Sequence, residues 1–147
     1  MKSNHYLIVV LMVGILSGSS SCSKDNPSCD TRVSSNKDST SIVGTWELRS
    51  KYSGYSGNTE ILPDCNGNRL VFTGNTYKRY TSGKLAREGT YRILKDTMRI
   101  KGKSEANRII LDTDTIVRNF LNNSGTELHI ILDAFDGPES RYIRRND

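Results

Sequence analysis

The sequence predicts an all-β domain, closed as an antiparallel barrel of about eight strands. Three observations lead there. From Ile42 to the C-terminus, short alternating apolar and polar runs are separated by turns bearing Gly, Asn, Asp or Pro, and no stretch has the period of a long amphipathic helix. The turns are too short for crossover connections, so consecutive strands pair antiparallel. A single sheet of eight or nine strands tends to curl, and closing it removes its edges, which favours a barrel over a sandwich.

The first strand is read over Val43–Lys51, around the chain's only tryptophan, Trp46. A Gly/Ser/Tyr loop, Tyr52–Asn58, leads to a short edge piece at Glu60–Leu62 that Pro63 ends. Asn66-Gly67 suits a positive-φ turn before a strand at Arg69–Thr73. Gly74-Asn75 turns into Thr76–Thr81, and Ser82-Gly83 turns into Leu85–Leu94. Further strands are read at Thr97–Lys101, Arg108–Leu111, Thr115–Leu121, Glu127–Leu132 and Ser140–Arg145. The period of two places Leu70 with Phe72 on one face. It likewise groups Gly89, Tyr91 and Ile93, and Leu128, Ile130 and Leu132.

Residues 1–21 have the anatomy of an export signal: Lys2 at the start, an apolar run over Leu7–Leu16, then the small residues Ser17–Ser21. A bilayer-spanning helix needs roughly 20 apolar residues, so this run is too short to span. A cysteine directly after such a small-residue run resembles the bacterial lipoprotein signal, which implies that Cys22 is acylated and becomes the mature N-terminus. The alternative is an ordinary signal peptide cut after Ser19 or Ser21. Residues 22–41 are rich in Ser, Asp, Asn and Lys without hydrophobic period, the composition of a flexible tether. Ser23-Lys24-Asp25 resembles the charged stretch that routes some Gram-negative lipoproteins to the outer surface. The expected location is therefore the bacterial outer membrane or cell surface, anchored by lipid, with a soluble periplasmic or secreted form as the alternative. With Cys22 lipidated, Cys29 and Cys65 remain, and two thiols in an oxidising compartment tend to pair. Such a bridge stabilises by roughly 4 kcal/mol on the chain-entropy model; two free thiols are the other possibility. The barrel domain is assigned to residues 42–147.

Gly44-Thr45-Trp46 at the head of the first strand is the G-x-W pattern of lipocalins. With Leu70-Val71-Phe72, Glu88-Gly89-Thr90-Tyr91, Leu128-His129-Ile130 and the closing Arg141-Tyr142-Ile143-Arg144, the chain resembles the lipocalin-like domains of bacterial lipoproteins from Ile42 to Arg145. The resemblance implies an up-and-down barrel whose floor is built by Gly44, Trp46 and Arg144, with the arginine over the indole; Arg141 and Arg145 are the alternatives in another register. It also implies a small apolar or amphipathic ligand inside, against Leu70, Phe72, Tyr91, Ile93, Leu128 and Ile130. The unit is shorter than a lipocalin of ordinary length and has no C-terminal helix.

The residues supply little for catalysis. His129 is the only histidine outside the signal, and its alternation with Leu128 and Ile130 turns it outward, so a nucleophile would lack a positioned base. The acids of Asp133–Glu139 fit a turn and lack the regular spacing of a calcium loop. No Cys/His grouping has zinc spacing. The reading is a binding module that is not an enzyme, with no cofactor and no metal. Ten cations between Lys78 and Arg108 face three acids, and Tyr77, Tyr80 and Tyr91 are interleaved with them. Together with the export signal, this points away from nucleic acid and towards a solvated face or anionic glycans. An envelope protein met through the Tyr52–Asn58 loop is the alternative partner.

Overall fold

The computed structural model describes residues 40–100, 102 and 104–146. The described residues form nine strands: β1 Gly44–Tyr52, β2 Thr59–Ile61, β3 Arg69–Thr73, β4 Thr76–Thr81, β5 Lys84–Thr97, β6 Glu105–Leu111, β7 Asn119–Asn123, β8 Glu127–Leu132 and β9 Glu139–Arg145. Every pairing is antiparallel, each strand from β3 to β9 pairs with the next, and β9 returns to β1. β1 and β3–β9 thus close an eight-stranded barrel. The short β2 lies on the same edge of β1 as β3: Thr59–Ile61 sits opposite Ser50–Tyr52, and Arg69–Phe72 opposite Gly44–Glu47. At Ser82-Gly83 both residues have positive φ, 50° and 79°, the geometry of a two-residue hairpin turn matched to strand twist.

Three elements differ from the sequence reading. The strand expected at Thr97–Lys101 is absent. Instead β5 runs unbroken to Thr97, and beyond it the Asp133 carboxylate accepts from the amides of Arg99 (2.7 Å) and Ile100 (3.0 Å), which occupies backbone donors a ladder would need. β6 begins at Glu105, three residues before its expected start. β7 begins at Asn119, not Thr115, because Arg108 Nη2 takes the carbonyls of Thr115 and Val117.

Inward side chains build the core: Ile42, Trp46, Leu70, Phe72, Tyr77, Ile109, Leu121 and Leu128 are buried together, with Tyr91, Leu111, Ile130 and Tyr142 packed against them. Phe72 and Tyr91 meet edge to face, centroids 4.9 Å apart. Burying a side chain such as Phe72 or Leu128 contributes about 1.5–3 kcal/mol.

A second cluster lies on the outer face. Arg108 and Ile110 alternate with the inward Ile109 and are buried as well, and register sets Leu94, Arg108, Phe120 and Ile131 side by side across β5–β8. Charges hold its cover in place. The Asp96 carboxylate accepts from Arg118 Nη1 (3.0 Å), Arg108 Nη1 (2.9 Å) and the Thr97 amide (2.8 Å), and the Arg118 guanidinium lies 5.5 Å from the Phe120 ring.

These contacts, Arg118 first and then Arg108, hold the Asp96 carboxyl down at about 2. Arg141 lowers Glu127, and Arg87 lowers Asp112. A depressed folded value means stability that is complete above the unfolded carboxylate range and lost as pH falls through the folded value. The thermal midpoint is therefore expected to hold near neutral pH and to fall between about pH 4 and pH 2. Asp96→Asn should lower it at neutral pH and flatten that acid slope, as read by circular dichroism melts across the range.

Candidate binding recess and barrel floor

The floor is set by alternation on the first and last strands. Trp46 pairs with Arg144 across the β1–β9 seam, so both side chains point inward. The Arg144 guanidinium carbon lies 4.2 Å from the Trp46 ring centroid. Its nitrogens donate to the carbonyls of Gly125 (Nε, 2.7 Å), Val43 (Nη1, 2.7 Å) and Ser41 (Nη2, 2.8 Å). The indole Nε1 donates to the Ile42 carbonyl at 2.7 Å. Gly44 is fixed by this neighbour: at φ 131°, a Cβ there would lie 3.0 Å from Arg144 Nη1. The other two terminal arginines are occupied elsewhere. Arg145 faces outward to Glu47 (Nε to Oε2, 2.7 Å) and Asp64, and Arg141 binds Glu127.

Further along β1 from Trp46, a recess of about 90 Å³ opens, lined by Leu48, Lys51, Asn68, Arg69, Leu70, Arg79, Tyr80, Thr81, Ser140 and Tyr142. Three irregularities in the wall surround it. The β1–β9 register shifts between Leu48 and Ser50, the β4–β5 register shifts between Arg79 and Tyr80, and the β1 edge passes from β3 to β2. Bulges bend strands and re-aim side chains, and they gather beside functional sites. The lining is apolar beneath (Leu48, Leu70, Tyr142) and cationic around, with no acid among these residues. Burial pushes the Tyr142 phenol up, and the charge of Arg79 opposes that shift.

Below the recess the barrel is filled. Leu70, Phe72 and Leu128 are buried core, and Tyr91 and Ile130 are half-buried against it. Ile93 is not brought into this group: it is 40% exposed, because among the described residues Tyr91–Thr97 pair with β6 alone. Gly89 lies inside opposite Tyr77, and Asp112 folds over it to accept from Tyr77 Oη (3.1 Å), Arg87 Nη2 (2.7 Å) and the Thr90 amide (3.0 Å). Tyr77 is buried, so it offers no exposed ring for stacking a base. Within the basic stretch, Lys78 pairs with Glu88, Arg87 with Asp112 and Arg108 with Asp96. His129 Nε2 stands 3.5 Å from Glu127 Oε2.

Cys22 and Cys29 lie outside the described residues. Cys65 has φ 61° in the turn between β2 and β3, which is pinned by the Asn66 amide to Glu47 (3.0 Å) and by Asn66 Nδ2 to the Leu48 and Pro63 carbonyls (2.8 Å each). The sequence reading missed the recess residues Leu48, Lys51, Arg79, Ser140 and Tyr142. A signal existed: Arg79 follows Tyr77 at the strand period, as Tyr142 precedes Arg144. The model of the lipocalin-like domain family matches residues 42–127. No curated protein and no solved structure matches the chain.

A Cβ on Gly89 would come within 1.8 Å of Asp112 Oδ1. Gly89→Ala must displace that carboxylate from Tyr77 and Arg87. The expected loss is about 1–3 kcal/mol, seen as a fall of several degrees in the thermal midpoint; an unchanged midpoint would show that the Asp112 contacts contribute nothing.

Proposed function

The chain belongs to the lipocalin-like domain family, and from that premise we propose that it is a lipid-anchored binding protein of the bacterial envelope that takes a small amphipathic ligand at the barrel mouth. Residues 1–21 serve as the signal, acylated Cys22 as the anchor, 22–41 as the tether and 42–147 as the binding domain. The outer membrane or cell surface is its place. Each acyl methylene buried in the bilayer contributes about 0.8 kcal/mol to retention. A bridge from Cys29 to Cys65 belongs to this reading, because two thiols exported to an oxidising compartment tend to pair.

The observation that carries the ligand reading is the recess, where Leu48, Leu70 and Tyr142 lie under a polar rim next to the packed core. Ligand sites of drug size run to about 300–1,000 Å³, so a recess of about 90 Å³ suits a small molecule rather than a whole lipid. A second reading is contact with an envelope protein. Its support is Tyr55 and Phe135, 90% and 92% exposed on two loops that touch where Gly54 packs on the Asp136 backbone.

Native mass spectrometry of the full chain purified from membranes tests the proposal. The expected result is a bound small molecule that is lost in Thr81→Trp, a substitution at the exposed rim, with the thermal midpoint unchanged. Cys22→Ser should move the protein from the membrane fraction to the soluble fraction. A ligand-free wild type, or a Cys22→Ser protein still in membranes, would contradict the corresponding half of the proposal.

A further inference from the structure

We infer that the recess selects an organic anion, and that Arg79 is the residue that reads its charge; this rests on the recess being the ligand site. Its lining holds Lys51, Arg69 and Arg79 and no aspartate or glutamate. The cations around it differ in how they are occupied. Lys51 has Glu60 at 3.8 Å, Arg69 lies over the Tyr80 ring at 5.4 Å, and Arg87 has Asp112 at 2.7 Å. Arg79 has no carboxylate partner among the described residues.

Its placement is costly for the fold. Register sets Arg79 directly opposite Arg87 on one side and Leu70 on the other. Like charges opposite one another in an antiparallel pair are destabilising, and Asp112 neutralises only Arg87. The register shift of β4–β5 falls at this same point, between Arg79 and Tyr80, where it re-aims the strand beside the recess. A repulsive pair, a bulge and an acid-free lining at one point are what an anion site needs and a structural wall does not.

The chemistry follows from the guanidinium. It offers a planar fork of donors suited to carboxylate or phosphate oxygens, and charge-assisted hydrogen bonds are about twice as strong as neutral ones. Among the described residues Arg79 has no ion pair that an anion would have to break. Lys51 and Arg69 add positive potential that attracts an anion and repels an amine. The apolar body of the ligand then meets Leu48, Leu70 and Tyr142 beneath. The assigned class is a carboxylate or phosphate monoester on a short apolar body.

A series with one tail and different heads separates charge from apolar contact. Titration calorimetry at neutral pH would compare hexanoate, hexyl phosphate, hexan-1-ol and hexylamine on the full chain. At least one anion is expected to bind about tenfold or more above hexan-1-ol, with hexylamine weakest, and the order of the two anions tells carboxylate from phosphate. Arg79→Gln should remove the anion preference and leave hexan-1-ol binding unchanged, while Arg79→Lys keeps part of it. A melt of each variant checks the fold, and Arg79 is exposed enough for substitution to be tolerated. Equal binding of hexanoate, hexyl phosphate and hexan-1-ol, or Arg79→Gln binding anions as the wild type does, overturns the inference and leaves the recess as a ligand site. If none of the four binds, the recess reading fails and the inference with it.

Discussion

The barrel depends on the contact between Trp46 and Arg144. A closed sheet has no free edge only where its last strand meets its first, and here that seam carries an indole beneath a guanidinium, 4.2 Å from carbon to ring centroid. The cation–π term contributes about 0.5–2 kcal/mol according to desolvation. The hydrogen bonds matter as much, because the same guanidinium takes the carbonyls of Ser41, Val43 and Gly125, which lie at the entry to β1 and in the β7–β8 turn. Arg145, the next residue, faces outward and clamps β9 to Glu47 on β1. Two neighbouring arginines thus rivet the seam on its two faces, as the strand period requires.

The seam seals one end, aromatic side chains pack the middle, and the recess lies towards the other end. The recess exists because the wall is irregular there: two register shifts and the passage from β3 to β2 open space that a regular eight-stranded wall would fill with alternating side chains. The outer face is used too. Asp96, Asp133, Arg108 and Arg118 hold a cover over Ile110 and Phe120, so Ile109 with Ile110 on β6, and Phe120 with Leu121 on β7, are buried on both faces of the wall.

That double burial explains where the sequence was legible and where it was not. β3 and β4 have one face in and one out, a clean period of two and tight turns, and their bounds, like those of β8, match the pattern. The eight-stranded closed architecture and the family follow from the same alternation together with Gly44-Thr45-Trp46. The stretch from Leu94 to Leu121 was less readable, because its ends are set by distant groups: Asp133 caps the segment after β5, and Arg108 holds the segment before β7. Ile93 shows the limit of period alone, which gives its face but not whether a neighbouring strand covers it. The recess was hidden for a related reason. Arg79 and Tyr142 come from strands far apart in sequence, and a bulge is not visible in a run of alternating residues.

The seam at Trp46 and Arg144 holds the barrel closed. Trp46 is the only tryptophan, so its fluorescence through urea unfolding reports on that seam alone. Relative to the wild type, Arg144→Met is expected to lose about 3 kcal/mol and to show native-state emission shifted to the red as the indole loses its cover. An unchanged midpoint with unchanged emission would contradict it.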